Sequence, residues 1–311
     1  MANVTIYQKI SALSPHIEMI NRRLYYFLKP IVDRFLKKKI SNKGPKNTTN
    51  SNLDFNQIIR ELKDRGLNSG DILVMHASFN ELKVLGLSPI EIVNSLLDYL
   101  GPEGTLAMPS IAIYPEPQVE KDGTIKNIFD YDIKSTKIWT GAIAKAMISD
   151  PRSHRSLHPL NSMVAIGKHA INMMEDNEKD PYPCGVMSSW SFCANRNAFV
   201  LGLGTDLTHS LTMIHVAEDT KGENWVVPNW YQDRIFRIIN GEKTFQLKVK
   251  ERKYKWGKLH FAERNLAKEL INRKVLKSKL VGNILIESLR SNELVTFLEN
   301  RNIKGYPYFW V

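Results

Sequence analysis

GDILVMHASFNELKVLGLSPIEIVNSLLDYLGPEGTLAMPS, residues 70–110, decides the fold class. It opens with a short apolar run at 71–75 (DILVM) that has the length and composition of a buried strand. Ser88-Pro89-Ile90-Glu91 then forms a capping box with proline at the first helical position. Val93, Leu96, Leu97 and Leu100 share one helical face, Gly101 can end that helix, and 105–108 (TLAM) reads as a second strand. The stretch is a strand-helix-strand unit and predicts an α/β chain. If the two strands are parallel neighbours, His76-Ala77-Ser78-Phe79 and Pro109-Ser110 sit at the same carboxyl edge of the sheet, where ligands bind in open α/β sheets. Taken singly, Ser78 and Ser110 are turn or capping residues.

Downstream, strands are expected at 163–166 and 198–203, with a helix near 141–147 between them. Upstream the pattern differs. Residues 15–39, PHIEMINRRLYYFLKPIVDRFLKKK, place Ile17, Ile20, Leu24, Phe27 and Leu28 at helical spacing, with Pro30 expected to kink or split the helix. A polar linker follows. Such a basic amphipathic helix suits contact with an anionic membrane surface or partner. The alternative is that it packs on its own domain or on a second subunit of a homodimer.

With 311 residues the chain can build one large domain or two small ones, and its net charge of +11 is unevenly spread. Residues 1–70 carry 13 Lys+Arg against 5 Asp+Glu, residues 71–218 carry 11 against 17, and residues 219–311 carry 19 against 10. The middle is acidic between two basic ends. No nucleic-acid module accompanies that charge, so no nucleic-acid partner is expected. Cys184 and Cys193 have neither zinc nor CxxC spacing, which argues against a disulfide framework. No signal peptide or run of about 18 apolar residues is present, and the expected compartment is the cytoplasm.

Two histidines have suggestive surroundings. In LTMIHVAED, Thr212, His215 and Glu218 are three residues apart and would line one face of a helix. A carboxylate beside an imidazole fixes its tautomer and favours its charged form, as a general base requires. RSLHPLNS, residues 155–162, presents Arg155, His158 and Ser162 on a proline-stiffened loop, whereas His154 reads as a surface residue. A metal would need a third ligand beyond His215 and Glu218, such as His158 or His76, and HExxH is absent, so none is expected. The GxSxG elbow of a serine hydrolase is missing too, and GLGTD at 202–206 lacks the glycine spacing and lysine of a phosphate loop.

Jointly these motifs resemble the aminoglycoside 3-N-acetyltransferase family, acyl-CoA-dependent N-acyltransferases distinct in fold from the commoner GNAT enzymes. The matching stretches are GDILVMHASFNELKVLG, LGPEGTLAMPS, WTGAIAKAMISDPRSHRSLHPLNSMVAIG, CGVMSSWS and LGLGTDLTHSLTMIHVAED, in the family's order over roughly residues 55–305. The resemblance implies an α/β (α+β) fold with a central mixed sheet flanked by helices. It also implies acyl transfer from a coenzyme A thioester to a sugar amine, with no metal. RSLHPLNS aligns with the family's RSxHPxxS signature and TMIHVAE with TxxHxxE, which implies catalytic roles for His158, His215, Glu218 and Thr212. The HASF and MPS turns resemble segments that hold the thioester and pantetheine, implying His76, Ser78, Phe79 and Ser110 as acyl-CoA contacts, with Arg155 and Ser162 beside them. Leu211 departs from the family, which often has a polar residue there. The chain would then comprise a helical extension and linker over 1–52 and an acyltransferase domain over 53–311.

Either His158 or His215 can serve as the base, and direct transfer in a ternary complex is expected because thioesters are already activated. The basic residues of 234–258 favour a nucleotide-linked amino sugar of surface polysaccharide synthesis as acceptor. An aminoglycoside, as in antibiotic resistance, is the alternative. A non-catalytic protein that binds an anionic ligand or membrane on the same fold is the rival from another class.

Overall fold

Burial on both faces explains why 72–77 reads as an unbroken apolar run: Ile72 and Val74 point into one hydrophobic cluster, Leu73 and Met75 into another. The computed structural model describes residues 10–11, 13–36, 53–120, 125–208, 210–253, 256 and 261–302, with backbone only for 30–36 and 302. The strands are β1 (Ile72–Ala77), β2 (Thr105–Pro109), β3 (Ile128–Asp132), β4 (His154–Arg155) and β5 (Met163–Gly167). They continue with β6 (Phe199–Leu203), β7 (Tyr231–Asn240), β8 (Lys243–Arg252), β9 (Lys277–Val281) and β10 (Ile284–Arg290).

Seven strands make the main sheet in the order β4-β5-β2-β1-β6-β10-β9. Its centre is parallel, with Ile72 opposite Thr105 and Leu73 opposite Phe199, while β5 and β10 run antiparallel on either side. The sheet is therefore mixed, as expected. The helix Pro89–Leu100 covers one face through Ile92, Val93, Leu96 and Leu100, and its capping box at Ser88 and Glu91 is formed. Ala142–Ser149 and Phe55–Asp64 pack on the same side. Ser189–Asn195, Glu263–Asn272 and Ser291–Asn302 contribute to the other cluster.

The second sheet, β3-β7-β8, takes the hairpin β7-β8 from the basic region 219–311 and β3 from the acidic middle of the chain. The cations that hide its strands are held in ion pairs: Lys248 and Lys250 on Asp233, Arg237 on Asp130, and Arg234 on Glu251. Alternation of charge along a hairpin weakens the apolar period on which strand recognition depends.

Helix Pro15–Leu36 runs through Pro30 without being split. A proline removes one backbone hydrogen bond, and that loss has not ended the helix here. One face of this helix is docked on the start of Glu263–Asn272: the buried Glu18 accepts from Arg264 N at 2.9 Å and Asn265 N at 3.0 Å, and Arg22 pairs with Glu263 at 2.7 Å. Glu18 thereby supplies the N-terminal cap that Ala262 cannot. The expected linker at 37–52 lies outside the described residues.

The three parallel strands end together, and one glycine lets their loops close. Gly204 has φ +69°, and a Cβ there would lie 2.9 Å from Glu81 Cβ and 3.2 Å from the Ser78 carbonyl. Gly204→Ala should destabilise the fold by roughly 1–3 kcal/mol through left-handed strain and crowding, read by chemical denaturation. It should also raise KM for the donor, because the Ser78 turn is displaced.

Candidate active site

Thr212–His215 is a 3-10 turn that leads directly into the short helix Val216–Asp219. Residues three apart nearly eclipse in such a turn, so the expected stripe of Thr212, His215 and Glu218 forms. His215 Nδ1 lies 3.0 Å from Glu218 Oε2. A carboxylate accepts only, so Nδ1–H donates and Nε2 is the nitrogen left with a lone pair.

Glu218 and its neighbour Asp219 are both buried. Arg252, from the end of β8, reaches Glu218 at 3.6 Å and Asp219 at 3.4 Å. Tyr231 Oη–H and the Cys184 N–H also donate to Asp219, each at 2.9 Å. Burial pushes the Asp219 carboxyl above its usual range, with Arg252 opposing that shift and Glu218 adding to it. Burial also works against the Arg252 charge, yet the two carboxylates hold its guanidinium above its ordinary value. Carboxylates so placed meet a cation and hydrogen-bond donors rather than water.

His215 stands between two cavities. The larger, of about 640 Å³, opens at the carboxyl ends of β1, β2 and β6 and is lined by His76, Ser78, Phe79, Pro109, Thr140 and Gly141, among others. The smaller, of about 300 Å³, is lined by Trp230, Glu251, Arg252, Lys253, Trp256, Phe261 and Glu263. Four residues line both: Asn161, Ser210, Thr212 and His215. The rings of Trp230 and Trp256 stack at 5.4 Å between centroids and 23° between planes. Two residues of the larger cavity's lining hold buried atoms, His76 Nε2 and Thr140 Oγ1, that have no hydrogen-bond partner among the described residues. Such atoms are costly to leave unmet.

His158 is placed elsewhere. It is buried, lines neither cavity, and holds Leu160 through its Nδ1, 2.9 Å from the Leu160 carbonyl oxygen and 3.2 Å from its nitrogen. Burial pulls its imidazole down to about 4, opposed by the Leu160 backbone and Asp180. This geometry does not bring His158 to the junction. What the loop delivers there is Asn161, in the left-handed region at φ 45°, with its carbonyl accepting from Trp190 Nε1 at 2.7 Å.

The other expected contacts divide. His76, Ser78 and Phe79 line the larger cavity, whereas Ser110, Arg155 and Ser162 do not. Those three are joined in a buried knot: Ser110 Oγ lies 2.9 Å from Ser162 Oγ, Arg155 Nε donates to Ser110 Oγ at 3.2 Å, and Tyr131 Oη lies 2.8 Å from Ser162 Oγ. Arg155 also donates to the Ile133 carbonyl, so the knot ties the small sheet to the main one instead of meeting an anionic ligand. Asn161, Thr140, Asp219, Arg252 and the Trp230/Trp256 pair are the site residues that the motifs missed. Arg252 lies 34 positions beyond Glu218, and no local spacing links them. Among the described residues no group of three His, Cys, Asp or Glu could hold a metal ion.

A model of the family described as aminoglycoside 3-N-acetyltransferase matches residues 74–301. The chain is 25% identical over 202 residues to aminoglycoside N(3)-acetyltransferase IX of Micromonospora chalcea, covering 61% of this chain and 69% of that protein. It is 28% identical over 173 residues to the SPbeta prophage-derived aminoglycoside N(3')-acetyltransferase-like protein YokD of Bacillus subtilis (strain 168), covering 52% of this chain and 63% of that one. It is 25% identical over 244 residues to aminoglycoside N(3)-acetyltransferase IV of Salmonella sp, covering 77% and 83%. Among solved structures, AAC-IIIb with CoASH superposes with a TM-score of 0.67 at 19% identity, over 82% of this chain and 97% of that one. That likeness is one of fold.

The two histidines should separate in kinetics. His215→Ala should lower turnover by roughly 10²–10⁴-fold, the usual worth of a general base, while His158→Ala should stay within about tenfold of the parent. Stability should separate His76 and His158 from ordinary surface histidines. Burial pulls His76 and His158 each down to about 4 from an ordinary 6.5. The unfolded chain therefore takes up protons below pH 6.5 that the folded one refuses until about pH 4. Stability is full above that window and falls as the pH drops through it. His158→Asn should reduce the slope of unfolding free energy against pH by about 1.4 kcal/mol per unit within the window.

Proposed function

The chain belongs to the aminoglycoside 3-N-acetyltransferase family, enzymes that transfer an acyl group from coenzyme A to an amine, and from that premise we propose that it acylates an amine of an amino sugar across the His215 junction. One observation carries the reading: His215, its Nδ1 fixed by a buried carboxylate, is shared by a cavity suited to a thioester and a cavity suited to a sugar. On this reading the larger cavity takes the pantetheine arm and thioester, beside His76, Ser78 and Thr140. The described lining of that cavity includes no Lys or Arg, so the phosphates of the donor lie outside it.

The acceptor enters the smaller cavity, where the half-buried Trp256, stacked on the buried Trp230, gives a face for a sugar ring, and Glu251 and Glu263, though paired with Arg234 and Arg22, put carboxylates in the wall beside its ammonium groups. His215 Nε2 takes a proton from the amine as the nitrogen bonds to the thioester carbon. The oxygen gains negative charge, and the hydroxyl of Thr212, a residue that lines both cavities, donates to it on this reading. The carbon–sulfur bond then breaks, and the proton passes from His215 to the departing thiolate. An imidazolium formed in between lies against Glu218, so its charge is stabilised where it arises. Asn161, at both cavities, positions the two substrates.

The names of the relatives favour an aminoglycoside acceptor over a nucleotide-linked sugar. Five of the cations that favoured the latter, Arg234, Arg237, Lys248, Lys250 and Arg252, are engaged in ion pairs, while Lys253 lines the smaller cavity. The paired five form no open anion site, which weakens the charge argument for a nucleotide-linked acceptor.

A thioester-cleavage assay with acetyl-CoA should show turnover with aminoglycosides and little with nucleotide-linked amino sugars. Turnover restricted to the nucleotide-linked sugars would reverse the assignment of acceptor. Arg22→Ala, which removes the cation that competes for Glu263, should lower KM for an ammonium-bearing acceptor while leaving that for the acyl-CoA unchanged.

A further inference from the structure

The helix Pro15–Leu36 has two faces with different fates. Its inner face is spent on the protein through Glu18, Met19 and Arg22. Its outer face carries Ile20, Leu24, Phe27 and Leu28 at intervals of three or four residues, and all four are exposed, Phe27 at 76% and Ile20 at 58%. Tyr25 is exposed beside them, and Arg23 and Lys29 are exposed along the flanks. A contiguous apolar row of this size on the outside of a fold marks a contact surface, because isolated exposed apolar residues are ordinary but an aligned row is not.

We propose that this outer face docks on an anionic phospholipid surface. The charge pattern selects that occupant. Residues 15–39 hold seven Lys and Arg against two acidic residues, so two copies laid face to face would bring like charges together, whereas acidic headgroups attract them. Phe27, Leu24 and Ile20 supply the buried stripe of an interfacial helix, and tyrosine suits the boundary between headgroup and acyl chain. No described helix is long and apolar enough to cross a bilayer, so the helix lies along the surface rather than through it. Since Arg22 holds Glu263 at the rim of the smaller cavity, docking sets that rim about 10 Å from the lipid, the width of one helix.

The test is co-sedimentation of the full chain with phosphatidylcholine vesicles, with and without phosphatidylserine. Binding should require phosphatidylserine, weaken with salt, and fall about fivefold for each cation neutralised in Arg23→Gln and Lys29→Gln. Leu24→Glu with Phe27→Glu should abolish sedimentation and leave turnover of soluble substrates unchanged, which also shows that the fold survives. A parent protein that stays in the supernatant with phosphatidylserine vesicles overturns the proposal. So does a parent dimer, by light scattering, that the double variant converts to monomer without any vesicle binding, since the face is then an interface between copies.

Discussion

The site is organised around a carboxylate that has no access to water. Glu218 is fully buried, with Asp219 buried next to it. Removing a charge from water costs several kcal/mol, and only close partners offset it. Those partners come from separate parts of the chain: Arg252 from β8, Tyr231 from β7, the Cys184 N–H from a loop, and His215 from the turn before. Satisfying the two carboxylates therefore fixes where the hairpin meets the main sheet. Losing one partner of such a cluster costs roughly 3–5 kcal/mol, which would weaken the fold and the chemistry together.

A second buried polar group works in the same way at the other end of the small sheet. Arg155 binds the backbone of Ile133 and Ser110 and lies 5.0 Å from the Tyr131 ring, so β3 is clamped to the ends of β2 and β5. Between the two clamps runs the loop 156–162. His158 is shut inside that loop and gives it shape, while Asn161, in a left-handed conformation, lines both cavities and donates through its side-chain amide to Cys184 Sγ. Histidine, proline and asparagine in one motif thus divide the tasks of shaping and presenting.

The main sheet could be read from the chain because its strands are buried on both faces and its helices bear caps and periodic apolar positions. Ile72 to Met75 and Ser88 to Leu100 are the clear instances. The hairpin could not, since Arg234, Lys248 and Lys250 interrupt its apolar period and the acids that neutralise them are far away in sequence or on the facing strand. The site divides on the same principle. Thr212, His215 and Glu218 are linked by local spacing and were legible. Arg252 and Asn161 act through tertiary contacts. His158 is buried and lines neither cavity, which its motif does not show because a motif gives a residue's neighbours in sequence but not its burial.

The account rests on His215 presenting an unprotonated Nε2 to the acceptor while Nδ1–H is held by Glu218. The most direct measurement is the ¹⁵N spectrum of histidine-labelled protein, with the His215 resonances assigned by a His215→Asn variant, at a pH where the ring is neutral. The account predicts the tautomer with the proton on Nδ1. A proton on Nε2 would contradict it, because the nitrogen facing the acceptor could then accept nothing.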